Sequence, residues 1–384
     1  MLTESPRVLC ALHGDIEHQS GSQTKYAFFF EALARRFRLE QVYDVSLYGT
    51  RRYLNALRVW HPNRRAWQER YYKNPWAFVQ RSKQFAAHLQ SIRDEVDVVL
   101  QVGVVFDASW KNPGIPNVIY TDYTAMLAEK KNDIGRTPLG PRARAEWIRL
   151  ERQAMERAAH IFTRSSIVRD AICGDYGIAP EKISVVGGGV NLPALPVIKN
   201  FSMGDCPTAL FIGAELYRKG GDLVLEAFAR VHQKMPNTQL LFLTADAIPS
   251  DLPRDGVQLI PAKWDRQAID ALYRRADVFV LPSRLETWGD VLLEAMAYGV
   301  PCIGVRGEAM SEIIVDGETG SVVPAGDIQA LAEAMTRIFS SPPLRQTWGH
   351  AARERVEINF TWSHVVERMA PLIKQVGKNN TRAF

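Results

Sequence analysis

Short apolar, β-branched runs alternate with longer stretches of helical period along most of the chain. In the first half RVLCAL (7–12), DVVLQV (97–102), NVIYT (117–121), HIFT (160–163) and ISVVG (183–187) stand out as strands. Their near-continuous apolar character is that of strands covered on both faces, as in parallel sheets. Between them, residues 24–36, 76–93, 144–159 and 166–176 bring apolar side chains back every three or four positions, the spacing of one helix face. A second series follows with TALFIG (208–213), QLLFLT (239–244), VQLI (257–260), VFVL (278–281) and CIGV (302–305), interleaved with helical stretches at 222–235, 267–275, 290–298 and 327–339.

The two series are separated by LPALP (192–196), whose prolines deny both a helix interior and a central strand. The pattern predicts an α/β chain of two Rossmann-like, doubly wound domains facing across a cleft, residues 1–198 and 199–361. Residues 362–384 are expected to form an amphipathic helix and tail that pack back toward the first domain. Ligands of such sheets gather beyond the C-terminal strand ends, so function is sought in the loops there.

Composition narrows the class. The 384 residues are 46% apolar and 23% charged, ordinary for globular domains and enough for two cores. Four scattered cysteines, Cys10, Cys173, Cys206 and Cys302, form no CxxC pair, so neither a zinc site nor a disulfide framework is expected. The N-terminal apolar run covers only residues 8–12, and no later run approaches a membrane span, which points to a cytoplasmic protein. Charge is uneven: residues 1–200 hold 28 Lys/Arg against 20 Asp/Glu, and residues 201–384 hold 19 against 22.

Candidate chemistry concentrates in LPSRLETWGDVLLEAMAYGVP (281–301). A strand gives way to a polar loop with Glu286, then Trp288 and Gly289, and an apolar helix begins near Asp290 with Val291 and Glu294 in its first turns. A carboxylate among Leu292, Leu293, Ala295 and Met296 needs a partner or a ligand, because isolated burial is costly. Vicinal hydroxyls suit it, and the helix N-terminus behind Gly289 suits phosphate or sugar oxygens. The bland alternative makes Glu286 a solvated loop acid, Glu294 a surface position and Asp290 an N-cap; for Asp290 the capping reading is kept. A second element, FIGAELYRKGGDLVLEAF (211–228), sets Arg218 and Lys219 ahead of Gly220, Gly221 and a helix, where cations neutralise a diphosphate.

These residues resemble the retaining glycosyltransferases of family 4, also called glycosyl transferases group 1, whose signature is Glu, seven residues, Glu: here Glu286 to Glu294. The likeness continues through Gly299-Val300-Pro301, Gly307, Glu312, Asp316-Gly317, Thr319-Gly320 and Val323-Pro324. It implies the GT-B architecture and a nucleotide-diphosphate sugar as donor. Glu286 would contact the transferred sugar, Glu294 the ribose hydroxyls, Lys219 the diphosphate, and the backbone of the 288–291 stretch the sugar and phosphate. Gly21, in the loop after the first strand, would approach the donor phosphate ahead of a helix starting near Thr24; Gly14, His13 and His18 share that loop. Trp264 is a candidate for stacking on the base or for packing. Two departures matter: Ala214 stands where relatives carry an Arg, with Arg218 as its substitute, and Asp122 stands where relatives often have a His. Asp122 would orient a hydroxyl of donor or acceptor, or simply close a turn or cap a helix.

The chain contains no Asp-x-Asp, so no cofactor and no metal are expected, with Lys219 and Arg218 neutralising the leaving diphosphate. Residues 48–85 interleave arginines with Tyr53, Trp60, Trp67, Tyr71, Tyr72 and Trp76; nine basic residues against the single acid Glu69 lie between Tyr48 and Gln90. This segment suits an anionic surface, such as a membrane face or a lipid-linked acceptor, or else is an insertion that packs its aromatics and solvates its arginines. No nucleic acid is expected as partner. Three function classes stand: a hexosyltransferase, acting on a glycan, lipid-linked or small-molecule acceptor, a nucleotide-sugar epimerase of the same fold, and a sugar-nucleotide binder without turnover.

Overall fold

A computed structural model describes residues 5–17, 20–111, 114–131, 139–198, 206–262 and 265–381, without the side chains of 20–24 and 379–381. The chain divides into two compact units, Met1–Gly187 with Trp362–Phe384, and Gly188–Thr361. The division falls eleven residues ahead of the boundary expected at 198 and just before the proline-rich stretch 192–196. The reason is local: the Val190 amide donates to the Phe360 carbonyl at 2.7 Å, and Val190 and Leu192 pack into the second unit's core.

The first unit runs β1 (Arg7–Leu12), α1 (Ser20–Arg36), β2 (Arg38–Asp44), α2 (Gly49–Arg58), α3 (Arg64–Tyr72), α4 (Pro75–Ser91), β3 (Val98–Val102), β4 (Asn117–Thr121), α5 (Ala125–Lys130), α6 (Pro141–Arg157), β5 (His160–Thr163), α7 (Ser166–Tyr176) and β6 (Ile183–Val185). Its six strands are parallel in the order β2-β1-β3-β4-β5-β6. The second unit runs β7 (Thr208–Ile212), α8 (Gly221–Lys234), β8 (Gln239–Leu243), β9 (Val257–Ile260), α9 (Arg266–Arg275), β10 (Val278–Val280), α10 (Asp290–Ala297), β11 (Cys302–Val305), α11 (Met310–Ile313), β12 (Gly320–Val323), α12 (Ile328–Phe339) and α13 (Pro342–Asn359). Its sheet, β12-β11-β10-β7-β8-β9, is also parallel and has the doubly wound order of dinucleotide-binding folds. The chain then enters α14 (Trp362–Thr381), which belongs to the first unit.

The central strands β3, β4, β7 and β10 are buried at every residue, which is why their sequences are predominantly apolar. The edge strands β2 and β12 are partly exposed, and their mixed sequences RLEQVYD and GSVV carry no such run. Residues 48–85, a single segment in the sequence pattern, contain α2, α3 and most of α4, separated by Asn63 and Asn74 acting as caps. Side-chain caps also open α5 at Thr124, α7 at Ser165, α9 at Asp265, α12 at Asp327 and α13 at Ser341. The two helices nearest the Glu286 and Lys219 loops, α8 and α10, open on Gly220 and Gly289 with no side-chain cap. Among the described residues no helix is long and apolar enough to cross a membrane.

Candidate functional site

In the second unit the sheet reverses its winding between β7 and β10, which lie side by side. The loops leaving these two strands therefore emerge together at the switch point, where doubly wound sheets take their ligands. The loop after β7 carries Lys219 and the loop after β10 carries Glu286, 67 positions apart in sequence, and their ammonium and carboxylate groups form an ion pair. The sequence assigned these groups separately to phosphate and to sugar; folding makes them neighbours, so one ligand would meet both.

Each member of the pair is held by its surroundings. Glu286 is 8% exposed, and Ser283 Oγ donates to the same carboxylate at 3.1 Å. Its amide donates to Glu308 Oε2 at 2.7 Å and its carbonyl accepts from the Ala309 amide at 3.1 Å, so the loop after β11 fixes its backbone from both sides. Lys219 is positioned by glycine. A Cβ on Gly213 would sit 2.8 Å from Lys219 Cβ, and one on Gly220, where φ is +73°, would sit 2.2 Å from the Pro282 carbonyl oxygen. Only glycine lets the two loops come this close.

Arg218 is 5% exposed; its guanidinium meets Glu215 and donates to the Leu285 carbonyl at 3.0 Å, while its own carbonyl accepts from the Arg284 amide at 2.9 Å. It braces one loop against the other instead of standing clear above the helix. Asp222 at the head of α8 is not a cap: Arg284 grips both of its carboxylate oxygens at 2.7 and 2.6 Å.

Around α10 the picture is mixed. Gly289, at φ +124°, is the N-cap position, and Asp290 is the first helical residue, so the expected capping role of Asp290 is not met. Trp288 turns into the core, 3% exposed, its ring at 72° and 5.8 Å from Phe360, because the loop must close over the apolar helix. Its indole is therefore part of the packing. Val291 is half-buried and packs on the core cluster. Glu294 is 8% exposed and has found protein partners: Arg266 at 3.1 Å and the Tyr273 hydroxyl at 3.1 Å. Burial pushes its carboxyl above the ordinary glutamate range, and Arg266 pulls it part of the way back.

In the first unit Asp122 stands one residue beyond β4 and pairs with Lys25 of α1 at 2.6 Å; the cap of α5 is Thr124, not Asp122. Ser165 caps α7. Gly21 lies inside the first turn of α1, which begins at Ser20 and not near Thr24. The glycine that the preceding loop requires is Gly14, at φ +107°, whose amide is held by Asp44 Oδ1 at 2.8 Å. His18 and Trp264 lie outside the described residues. Arg266, Tyr273, Glu308 and Lys25 were not singled out as partners, and each comes from an element distant in sequence. Ser283, three residues before Glu286, had a local signal.

Known proteins resemble this chain in two ways. The model of the family glycosyl transferases group 1 matches residues 198–355. Alpha-maltose-1-phosphate synthase of Mycolicibacterium smegmatis is 28% identical over 262 residues, 60% of this chain and 66% of that protein. D-inositol 3-phosphate glycosyltransferase of Saccharomonospora viridis is 27% identical over 303 residues, 72% of this chain and 67% of that protein. The matches thus span about two thirds of each relative's own length. In structure, sucrose-phosphate synthase of Thermosynechococcus elongatus superposes with a TM-score of 0.69 over 97% of this chain and 99% of that one, at 19% identity. The common architecture is the GT-B fold.

Proposed function

We propose, from the premise that the chain belongs through residues 198–355 to the glycosyl transferases group 1, that it moves a hexose from a UDP- or GDP-linked donor to an acceptor. The acceptor is a glycan, a lipid-linked sugar or a small molecule, the anomeric configuration is retained, and no metal ion is needed. The observation that carries this reading is the Lys219–Glu286 pair at the switch point between two uncapped helix openings. An ammonium group and helix N-terminal amides suit a diphosphate, and a fixed carboxylate beside them suits the hydroxyls of the sugar that it carries.

The chemistry follows from charge. Breaking the anomeric bond leaves negative charge on the nucleoside diphosphate, and groups already aimed at that oxygen lower the barrier without reorganising. Lys219 takes that role, with Arg218 holding its loop in place. Glu286 orients the sugar and balances the positive charge that develops on its ring. Glu294 meets the ribose hydroxyls, in exchange for its contacts with Arg266 and Tyr273. Asp122, tied to Lys25, positions a hydroxyl of donor or acceptor. The Asp-x-Asp that usually holds a bridging ion is missing from the sequence, which supports the metal-independent reading.

Transfer separates this reading from an epimerase and from a silent binder. Purified protein is given UDP- and GDP-hexoses with and without a candidate acceptor mixture, in the presence of EDTA. Acceptor-dependent release of nucleoside diphosphate supports the proposal; an isomerised donor, or binding without release, replaces it.

A contact with anionic membrane is part of the proposal, with the protein peripheral at the inner face of the membrane. It is supported by α2, where Leu54, Leu57 and, just beyond the helix, Trp60 are 51%, 74% and 64% exposed beside exposed Arg51 and Arg58. Apolar side chains ringed by cations suit the headgroup boundary of an acidic lipid surface. Flotation with vesicles containing phosphatidylserine tests it: Leu57→Glu should lose the vesicles, and equal flotation of both proteins discards the contact.

A further inference from the structure

A cavity of about 460 Å³ opens in the first unit between α2, α3 and the end of β1. Its size falls within the roughly 300–1,000 Å³ range of small-molecule sites. Its walls combine aromatic faces, Tyr53, Trp67 and Tyr72, with three groups of different polarity, His13, Gln68 and Arg52. It lies far in sequence from Lys219 and Glu286, and none of the roles derived above uses it.

The cavity is built by buried polar clips. Asn55, fully buried on α2, donates to the Tyr71 carbonyl at 2.9 Å and accepts from Asn74 at 3.0 Å. Trp67 reaches back from α3 to donate its indole N–H to the Ala56 carbonyl at 2.9 Å. These bonds hold α2 and α3 apart at a set spacing, since closing the gap would break buried hydrogen bonds. The exposed membrane-facing positions Leu54 and Leu57 lie on a different side of α2 from Arg52 and Ala56, which line the cavity.

The lining specifies a ligand. Flat aromatic walls match the C–H face of a pyranose ring. His13 stands edge-on to Tyr72 at 5.1 Å, and burial together with nearby Arg81 drives its pKa down to about 3. A neutral imidazole offers one donor and one acceptor, the Gln68 amide offers two N–H donors and a carbonyl acceptor, and a sugar hydroxyl, which both donates and accepts, answers either. Arg52 brings a guanidinium to the same walls, and among the described residues it forms no ion pair with a carboxylate. A guanidinium so placed binds a carboxylate or phosphate through two parallel hydrogen bonds.

We propose that this cavity binds a pyranose carrying one anionic substituent, with the ring against Tyr53, Trp67 and Tyr72, the hydroxyls on His13 and Gln68, and the charge on Arg52. Its meaning as a subsite for the acceptor rests on the transferase reading; its occupancy by such a sugar does not. A bare anion lacks the ring that the aromatic walls require, and a neutral sugar leaves the guanidinium unanswered. Carboxylate and phosphate both satisfy the charge, so both are tested.

Calorimetric titration of the full chain with glucuronate, glucose 6-phosphate, methyl glucoside and inorganic phosphate tests the assignment. At least one of the two charged sugars is expected to bind about tenfold or more tightly than methyl glucoside, and which one does identifies the anion. Inorganic phosphate should bind no better than the neutral sugar. Arg52→Gln should bring the charged sugar down to the neutral level, and Tyr53→Ala, at a side chain 69% exposed, should weaken both sugars alike. Trp67 is left alone because it also holds the cavity open. Phosphate binding as tightly as the sugar phosphate, or sugar binding unchanged in Arg52→Gln, overturns the proposal. UDP and GDP titrated into the same proteins report on the other unit: nucleotide binding without sugar binding sinks only the pocket, and sugar binding without nucleotide binding sinks only the donor reading.

Discussion

Two residues in the second unit set the strictest test of the donor site. Lys219 and Glu286 neutralise each other across two loops, so removing either leaves a nearly buried charge without its partner as well as deleting a ligand group. Loss of one preorganised charge-stabilising group typically costs about 10²–10³ in rate. Lys219→Ala should therefore lower kcat/KM by about that factor, with more effect on kcat than on KM, and Lys219→Arg should recover part of it. Steady-state kinetics with a matched donor would settle it, and a variant as active as the parent refutes the role. A pH effect belongs to Glu151, fully enclosed between α5, α6 and α7, where burial raises its pKa to about 7 although the Tyr176 hydroxyl and the Ala125 amide donate to it. A carboxyl whose folded pKa is raised contributes stability that is complete below the ordinary glutamate value and disappears as pH rises through about 7. The thermal midpoint of the parent should thus fall between pH 5 and 8 more steeply than that of Glu151→Gln, whose amide keeps an acceptor for Tyr176. Parallel slopes would show that Glu151 does not carry the dependence.

At the scale of the element, glycine decides where the site's helices begin. Gly220 ends the loop after β7 at φ +73° with the Pro282 carbonyl where a Cβ would be, whereas Gly326, at φ +76°, has open space around it. Gly326→Ala should cost only the left-handed strain, about 1–2 kcal/mol. Gly220→Ala should cost clearly more and also weaken nucleotide binding, because Lys219 must shift with the loop. Denaturant unfolding and nucleotide titration of the pair check this, and equal losses in the two variants would mean the close approach is not needed. Such glycines were visible in the sequence because loop, glycine and apolar helix follow one another within a few positions. Lys219, Glu286 and Glu294 were legible for the same reason. Their partners were not: Glu308 lies 22 positions from Glu286 and Arg266 sits on a different helix from Glu294, and no local spacing encodes a contact made by folding. The central strands announced themselves as apolar runs, while β2 and β12 were hidden because an edge strand mixes solvent-facing residues into its pattern. Helices α2 and α3 were obscured by a segment so rich in arginine and aromatics that composition drowned its period.

On the scale of the whole molecule, chain order and folding unit do not coincide. After completing the second unit, the chain returns α14 to the first, where Trp362, Val365, Val366, Met369, Ala370 and Ile373 are buried in the core with Phe29, Phe30 and Leu33. Trp362 stacks obliquely on Phe29 at 5.0 Å and lies 5.4 Å from the buried guanidinium of Arg164, while Arg368 donates to the Val186 carbonyl at 2.8 Å. Burying one large apolar side chain contributes about 1.5–3 kcal/mol, so four or five of them amount to most of the roughly 5–15 kcal/mol by which a domain is stable. Truncation before Trp362 should therefore unfold the first unit, although the residues removed are the last in the chain. The second unit keeps its own core and should survive, since none of its core cluster comes from α14. Limited proteolysis of the truncated chain should digest residues 1–187 rapidly and leave a resistant fragment near 188–361 that still binds nucleoside diphosphate. If instead the truncated protein resists protease as the parent does, α14 is an appendage and not part of the first unit's core.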